Sequence, residues 1–262
     1  MRLFAREVGS SAPAIVFLHG FGGSHGAWRA VADALADEHR TIAYDLPGHG
    51  RSLHWPDAGP PKVAVGAVFS DLDARGIRKA HFVGHSMGGA IAALAAIGQP
   101  DRVASLTLLA PGGFGEEING PLLRRYAAAR SAAEIRDCLE AMSGPQAVIG
   151  DETLREAVEI RAIRGQTEKL VEIAAAITRN DRQGAISRES LSALPMPVAV
   201  AWSREDGVLP YSQVEKLPPH FVLHTVKGKG HLLPQEAPGQ VADIIRRTIG
   251  GAALESPEQR VV

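Results

Sequence analysis

The sequence has a single cysteine, Cys138, among 262 residues. One thiol cannot form an internal disulfide, so a reducing compartment suits the chain. Charge imbalance is missing as well: 28 Lys and Arg stand against 29 Asp and Glu. That balance leaves no basic footprint for nucleic acid. There is no long apolar run. The longest, around Ala90 to Ile97, is far short of the roughly 20 residues a membrane helix needs. The opening stretch MRLFAREVGSS lacks the apolar block of a secretory signal. Neither an internal repeat nor a low-complexity segment is present. A cytoplasmic protein is expected, with no nucleic-acid or membrane partner. The sequence does not specify an oligomeric state. At this length the core can be large enough to need no staples.

What is present is an alternation of short apolar runs with helical patterns. AIVFLHG (14–20), RTIAYDLPGHG (40–50), AHFVGHS (80–86), VASLTLLAPGG (103–113), PVAVAWS (197–203) and FVLHTVKGKGH (221–231) contain six strand candidates. Continuous apolar strands are expected where helices cover both faces of a parallel sheet. Helices are predicted over about 25–38, 62–75, 87–99 and 235–249. The order implies a doubly wound α/β fold, a mostly parallel central sheet flanked by helices. The alternation stops between Gly115 and about Ser190, where only helical patterns occur. The expected organisation is a core over 1–114 and 191–250, an inserted all-helical cap over 115–190, and a flexible polar tail over 251–262.

In FVGHSMGGAIAALAA, residues 82–96, a serine stands between glycines at the end of an apolar run. Gly84-His85-Ser86-Met87-Gly88 is a G-x-S-x-G sequence joining a predicted strand to a predicted helix. Such a junction turns sharply, and glycines keep side chains out of its way. Ser86 then projects at a helix N-terminus, where N–H groups favour negative charge. A plain helix cap is the alternative role for a serine here. A nucleophilic serine needs a base, and the base needs an orienting carboxylate. AWSREDGVLP places Asp206 just past a strand, with Glu205 as its rival, and GKGHLLPQEAP places His231 just past the next. Gly207 after Asp206 lets the turn bring that carboxylate inward. HGFGGS (19–24) offers the Phe21 N–H as one oxyanion donor, and the Met87 N–H is the other. His19 is expected to brace its own loop, and Asp45 and His49 in DLPGHGRS are expected to be structural.

Taken together these pieces resemble the α/β-hydrolase fold family. The matching stretches are His19-Gly20-Phe21-Gly22, the turn from Asp45 to Ser52, the Ser86 junction through Gly89, Trp202 to Asp206, and Gly230-His231, in the family's order. The resemblance implies a serine hydrolase with catalytic Ser86, Asp206 and His231 that cleaves an ester or related acyl bond of a small-molecule acyl substrate through an acyl-enzyme, without metal or cofactor. Residues 108–142 look like the hydrolase module of acyltransferase subunits in acetoin-cleaving complexes. No lipoyl-bearing lysine accompanies that likeness, so acyl transfer to a lipoyl group is not implied. Ser86 in place of an aspartate nucleophile argues against dehalogenation. Carbon–carbon bond hydrolases usually carry Trp after the histidine, where this chain has Leu232. Pro111, not a carboxylate, follows the fourth strand candidate, so the acid is not expected there. Carbon–carbon hydrolysis, perhydrolysis or a ligand-binding receptor with little turnover are the alternatives.

Overall fold

The computed structural model describes residues 2–254. Seven strands form one sheet: β1 (Ala5–Val8), β2 (Ala14–Leu18), β3 (Thr41–Tyr44), β4 (Ala80–His85), β5 (Val103–Leu109), β6 (Val198–Trp202) and β7 (Val222–Thr225). Their order is β1-β3-β2-β4-β5-β6-β7. Every pairing is parallel except β1 with β3. All six strands expected from the apolar runs are present, each shorter than its run because the run includes the following turn. β1 was not expected. Its AREV carries two charged residues and lies half-buried at the sheet edge, where one-sided burial leaves little apolar signal.

Alternate side chains of the inner strands feed two cores. Val16, Leu18, Phe82, Leu106 and Val200 pack on one face, and Ile15, Phe17, Val83, Leu109 and Ala199 on the other. The helices are α1 (Arg29–Leu35), α2 (Pro61–Ala74), α3 (Met87–Gly98), α4 (Gly120–Ala128), α5 (Ala132–Met142), α6 (Asp151–Ala162), α7 (Gln166–Ile177), α8 (Arg188–Ser192), α9 (Leu233–Glu236) and α10 (Pro238–Leu254). α2 and α3 cover the first face, and α1 and α10 cover the second. The helix predicted over 25–38 opens as a 3-10 turn, His25–Trp28, before α1. The one predicted over 235–249 is split into α9 and α10 just before Pro238, whose missing N–H suits a helix start. α10 continues to Leu254, four residues into the stretch expected to be a flexible tail; residues 255–262 lie outside the described residues.

Among the described residues, five of the ten α-helices, α4 to α8, lie between β5 and β6. Their starts follow from sequence: Asn119 and Ser131 cap α4 and α5, and Glu134 completes a capping box on α5. Each of the longer helices buries one stripe. Leu122, Leu123 and Tyr126 do so on α4, Ile135, Cys138, Leu139 and Met142 on α5, and Leu170 and Ile173 on α7. No described helix is long and apolar enough to cross a membrane.

Candidate active site

The chain runs from β2 to β3 on one side and then crosses to β4 on the other. Loops leaving β2 and β4 therefore meet at the point where strand order reverses, the place where open α/β sheets bind ligands. The loop after β2 carries Phe21, and the turn after β4 carries Ser86.

Ser86 has φ 52° and ψ −118°, a backbone conformation that costs energy for any residue with a Cβ. Its N–H donates to the Leu109 carbonyl, and its own carbonyl accepts from Gly89 and Gly112, each at 2.9 Å. The flanking glycines have no substitute. A Cβ on Gly84 would lie 2.3 Å from the Gly88 oxygen, and one on Gly88 would lie 2.1 Å from the Leu18 oxygen. The helix thus starts hard against the sheet and lifts Ser86 above the strand ends. One on Gly20 would lie 2.8 Å from His85 Nδ1 and 3.3 Å from Ser86 Cβ, so the β2 loop closes directly over the serine. Among the described residues, nothing accepts a hydrogen bond from the N–H of Phe21 or Met87.

His19 braces that loop. Leu46 N–H donates to its Nε2 at 3.0 Å, so its Nδ1 carries the proton and donates to the Gly20 carbonyl at 2.7 Å. Burial lowers its pKa to about 4 and keeps it neutral. Asp45 accepts from the His25 ring and from the N–H groups of His25 and Arg51. Burial alone would raise this carboxyl, but those bonds hold it below its ordinary value. His49 is buried beside His19, its pKa lowered to about 3 by desolvation first and by that neighbour second. All three hydrogen-bond within the turn-rich loops that carry them.

Asp206 and His231 meet. His231 Nδ1 lies 2.8 Å from Asp206 Oδ2, with side chains only 4% and 0% exposed. The other oxygen, Asp206 Oδ1, accepts from Val208 and Leu209 N–H at 2.8 and 2.9 Å. Its orientation is fixed from both sides. The rival Glu205 is instead engaged by the Ser203 hydroxyl at 2.7 Å. With Nδ1–H committed to Asp206, His231 Nε2 keeps a free lone pair. His231 and Ser86 line one recess of about 50 Å³, together with Phe21 and Tyr126. Ser86, Phe21 and Met87 also line a larger cavity of about 540 Å³. A charged cavity of about 360 Å³ between the first 3-10 turn and α6 includes none of Ser86, Asp206 or His231.

Two residues of this site carry no sequence signal. Glu236 in α9 accepts from Gly230 and Gly144 N–H on one oxygen, both at 2.9 Å, and from Leu232 N–H on the other at 3.1 Å. His85, next to the serine, donates from Nε2 to the His231 carbonyl at 2.8 Å, and burial holds its pKa well below the ordinary value. Both fix the backbone that carries His231. The insert adds a third hold, since His231 N–H donates to the Met142 carbonyl at 2.7 Å.

A family model described as the alpha/beta hydrolase family matches residues 15–244. The chain belongs to that family. Over 233 residues this hydrolase-family chain is 36% identical to the dihydrolipoyllysine-residue acetyltransferase component of an acetoin cleaving system from Pseudomonas putida, across 89% of this chain and 62% of that one. It therefore spans less than two thirds of that relative's length. It is 30% identical over 233 residues to a 2-hydroxy-6-oxo-6-phenylhexa-2,4-dienoate hydrolase from Burkholderia cepacia, across 83% of this chain and 81% of that one. Among solved structures, a meta-cleavage product hydrolase from Pseudomonas fluorescens IP01 superposes with a TM-score of 0.84 at 24% identity, over 95% of this chain and 94% of that one. That last likeness is one of fold.

Proposed function

We propose that this alpha/beta hydrolase cleaves an ester or related acyl bond through a covalent acyl-enzyme, with Ser86, His231 and Asp206 as its triad. The observation that carries the reading is the buried 2.8 Å Asp206–His231 pair, whose ring shares a recess with a serine held at φ 52°. Ser86 Oγ attacks the carbonyl carbon while its proton passes to His231 Nε2. The carbonyl electrons move onto oxygen, which the N–H groups of Phe21 and Met87 receive. When the intermediate collapses, the bond to the leaving oxygen breaks, and that oxygen takes the proton from His231. Water then attacks the acyl-serine, giving one proton to His231. Collapse returns that proton to Ser86 and releases the acid. Asp206 keeps the imidazole in the required tautomer and stabilises its charged form.

The helices over 115–190 act in this reading as a cap over a core of 1–114 and 191–250. The free, buried Cys138 thiol suits a cytoplasmic setting. A second reaction on the same triad, carbon–carbon hydrolysis, is favoured by the likeness to the dienoate hydrolase. A fluorophosphonate should label the protein at Ser86 and stop turnover of simple esters. Labelling elsewhere, or dienoate cleavage with no ester cleavage, would displace the proposal.

A further inference from the structure

Ser86 stands between two cavities of very different size and character. The larger, about 540 Å³, follows one face of α3. Met87, Ala90, Leu94 and Ile97 line it at helical spacing, so the cavity extends along about ten residues of helix, roughly 15 Å. Ile118, Ile177 and Ile186 close it from the insert. Its polar side chains besides Ser86 are Gln183, Ser187 and Ser190, and none is ionisable. They already have partners: Gln183 Oε1 accepts from Gly113 N–H, and the two serine hydroxyls bond each other.

The smaller cavity, about 50 Å³, lies on the side of His231 and is closed by Leu139, Met142 and Leu232. Gln235 also lines it, and its Oε1 is buried without a partner. That lone acceptor suits a hydroxyl, from water or a short alcohol.

The two sides of an ester are chemically distinct here. His231 must reach the leaving oxygen to protonate it, so the alcohol belongs in the small cavity and the acyl group in the large one. We infer that the substrate is the ester of a short alcohol with an uncharged, medium-chain apolar acid. This rests on the triad reading above and adds the substrate class to it. No cation on the cavity wall is placed to pair with a carboxylate at the far end of the chain, so a charged terminus would enter unpaired.

Two isomeric esters test the orientation. Methyl octanoate and heptyl acetate have the same formula and differ only in which side of the ester bears the chain. The full chain should hydrolyse methyl octanoate with a kcat/KM at least about tenfold higher, since only its chain finds apolar surface to bury against. Methyl hydrogen suberate, of the same acyl length with a terminal carboxylate, should fall at least about tenfold below methyl octanoate. Leu94→Trp should lower kcat/KM for methyl octanoate at least about tenfold relative to that for methyl butyrate. Equal or greater turnover of heptyl acetate, or of the suberate, overturns the assignment and leaves the triad standing. Absence of both labelling and ester cleavage overturns the triad reading, and the assignment with it.

Discussion

At the scale of single residues, the proposed site divides into groups assigned to react and groups that hold them. Ser86→Ala removes a small hydroxyl at a cavity wall, so the melting temperature should barely change. The rate should fall by roughly 10³-fold or more, leaving what the oxyanion donors and binding supply. Rate and thermal melt measured on one preparation check this, and persistent fluorophosphonate labelling would point to another serine. The neighbouring carboxylates separate just as cleanly. Asp206→Asn leaves His231 in the wrong tautomer and should cost roughly 10⁴-fold in kcat. Glu205→Gln touches only the Ser203 turn and should cost little; steady-state kinetics of the pair decide. The residues of the proposed triad were legible in the sequence because glycines and strand ends mark them. Glu236 and His85 were not. Their partners are backbone groups: His85 bonds a carbonyl 146 positions away, and one of the Glu236 bonds spans 92, distances over which sequence shows no pairing.

At the scale of elements, the short helix α9 and the end of α5 grip the His231 loop together. A Cβ on Gly230 would lie 2.3 Å from the Ser143 carbonyl carbon, so the loop and the insert are in contact at backbone level. Glu236→Ala leaves three N–H groups without their acceptor, and His231 should lose its position. A misplacement of about 1 Å can cost roughly 10²-fold, so kcat should fall on that order with KM nearly unchanged. Glu236→Gln should restore only part of the rate, because its amide nitrogen would face N–H groups. If both variants matched wild type in kcat, the grip would have no bearing on catalysis. The sheet itself was readable because buried parallel strands are apolar throughout, as AIVFL and VAVAW are. The insert was readable as helix from its periodicity. Which of its faces meets His231 was not, since Met142 contributes a carbonyl and any residue has one.

For the molecule as a whole, buried neutral histidines tie stability to pH. His19 and His81 have pKa values lowered to about 4, and His49 to about 3, in each case chiefly by burial. In the unfolded chain such rings take up a proton near pH 6.5. Between those values the unfolded state binds more protons, so stability is complete above about pH 6.5 and is lost as the pH falls toward 4. The melting temperature should be level above pH 7 and fall by about 5 °C or more by pH 5. His81→Gln, remote from Ser86 and bonded to the Ser105 hydroxyl in the sheet, should flatten that slope. A melting temperature constant from pH 5 to 7.5 would rule the linkage out. The position of the insert has one more consequence, for a chain still being made. β5 and β6 are neighbours in the sheet but 88 residues apart along the chain. At roughly 5 to 20 residues per second, the ribosome leaves β5 as an open edge for roughly 4 to 18 seconds. Ser86 emerges long before Asp206 and His231, so the proposed triad is incomplete until the last strands arrive. A chain halted after residue 195 should present that bare edge, bind a hydrophobic dye and aggregate; a soluble, dye-silent fragment would mean that the insert's helices shield β5 by themselves.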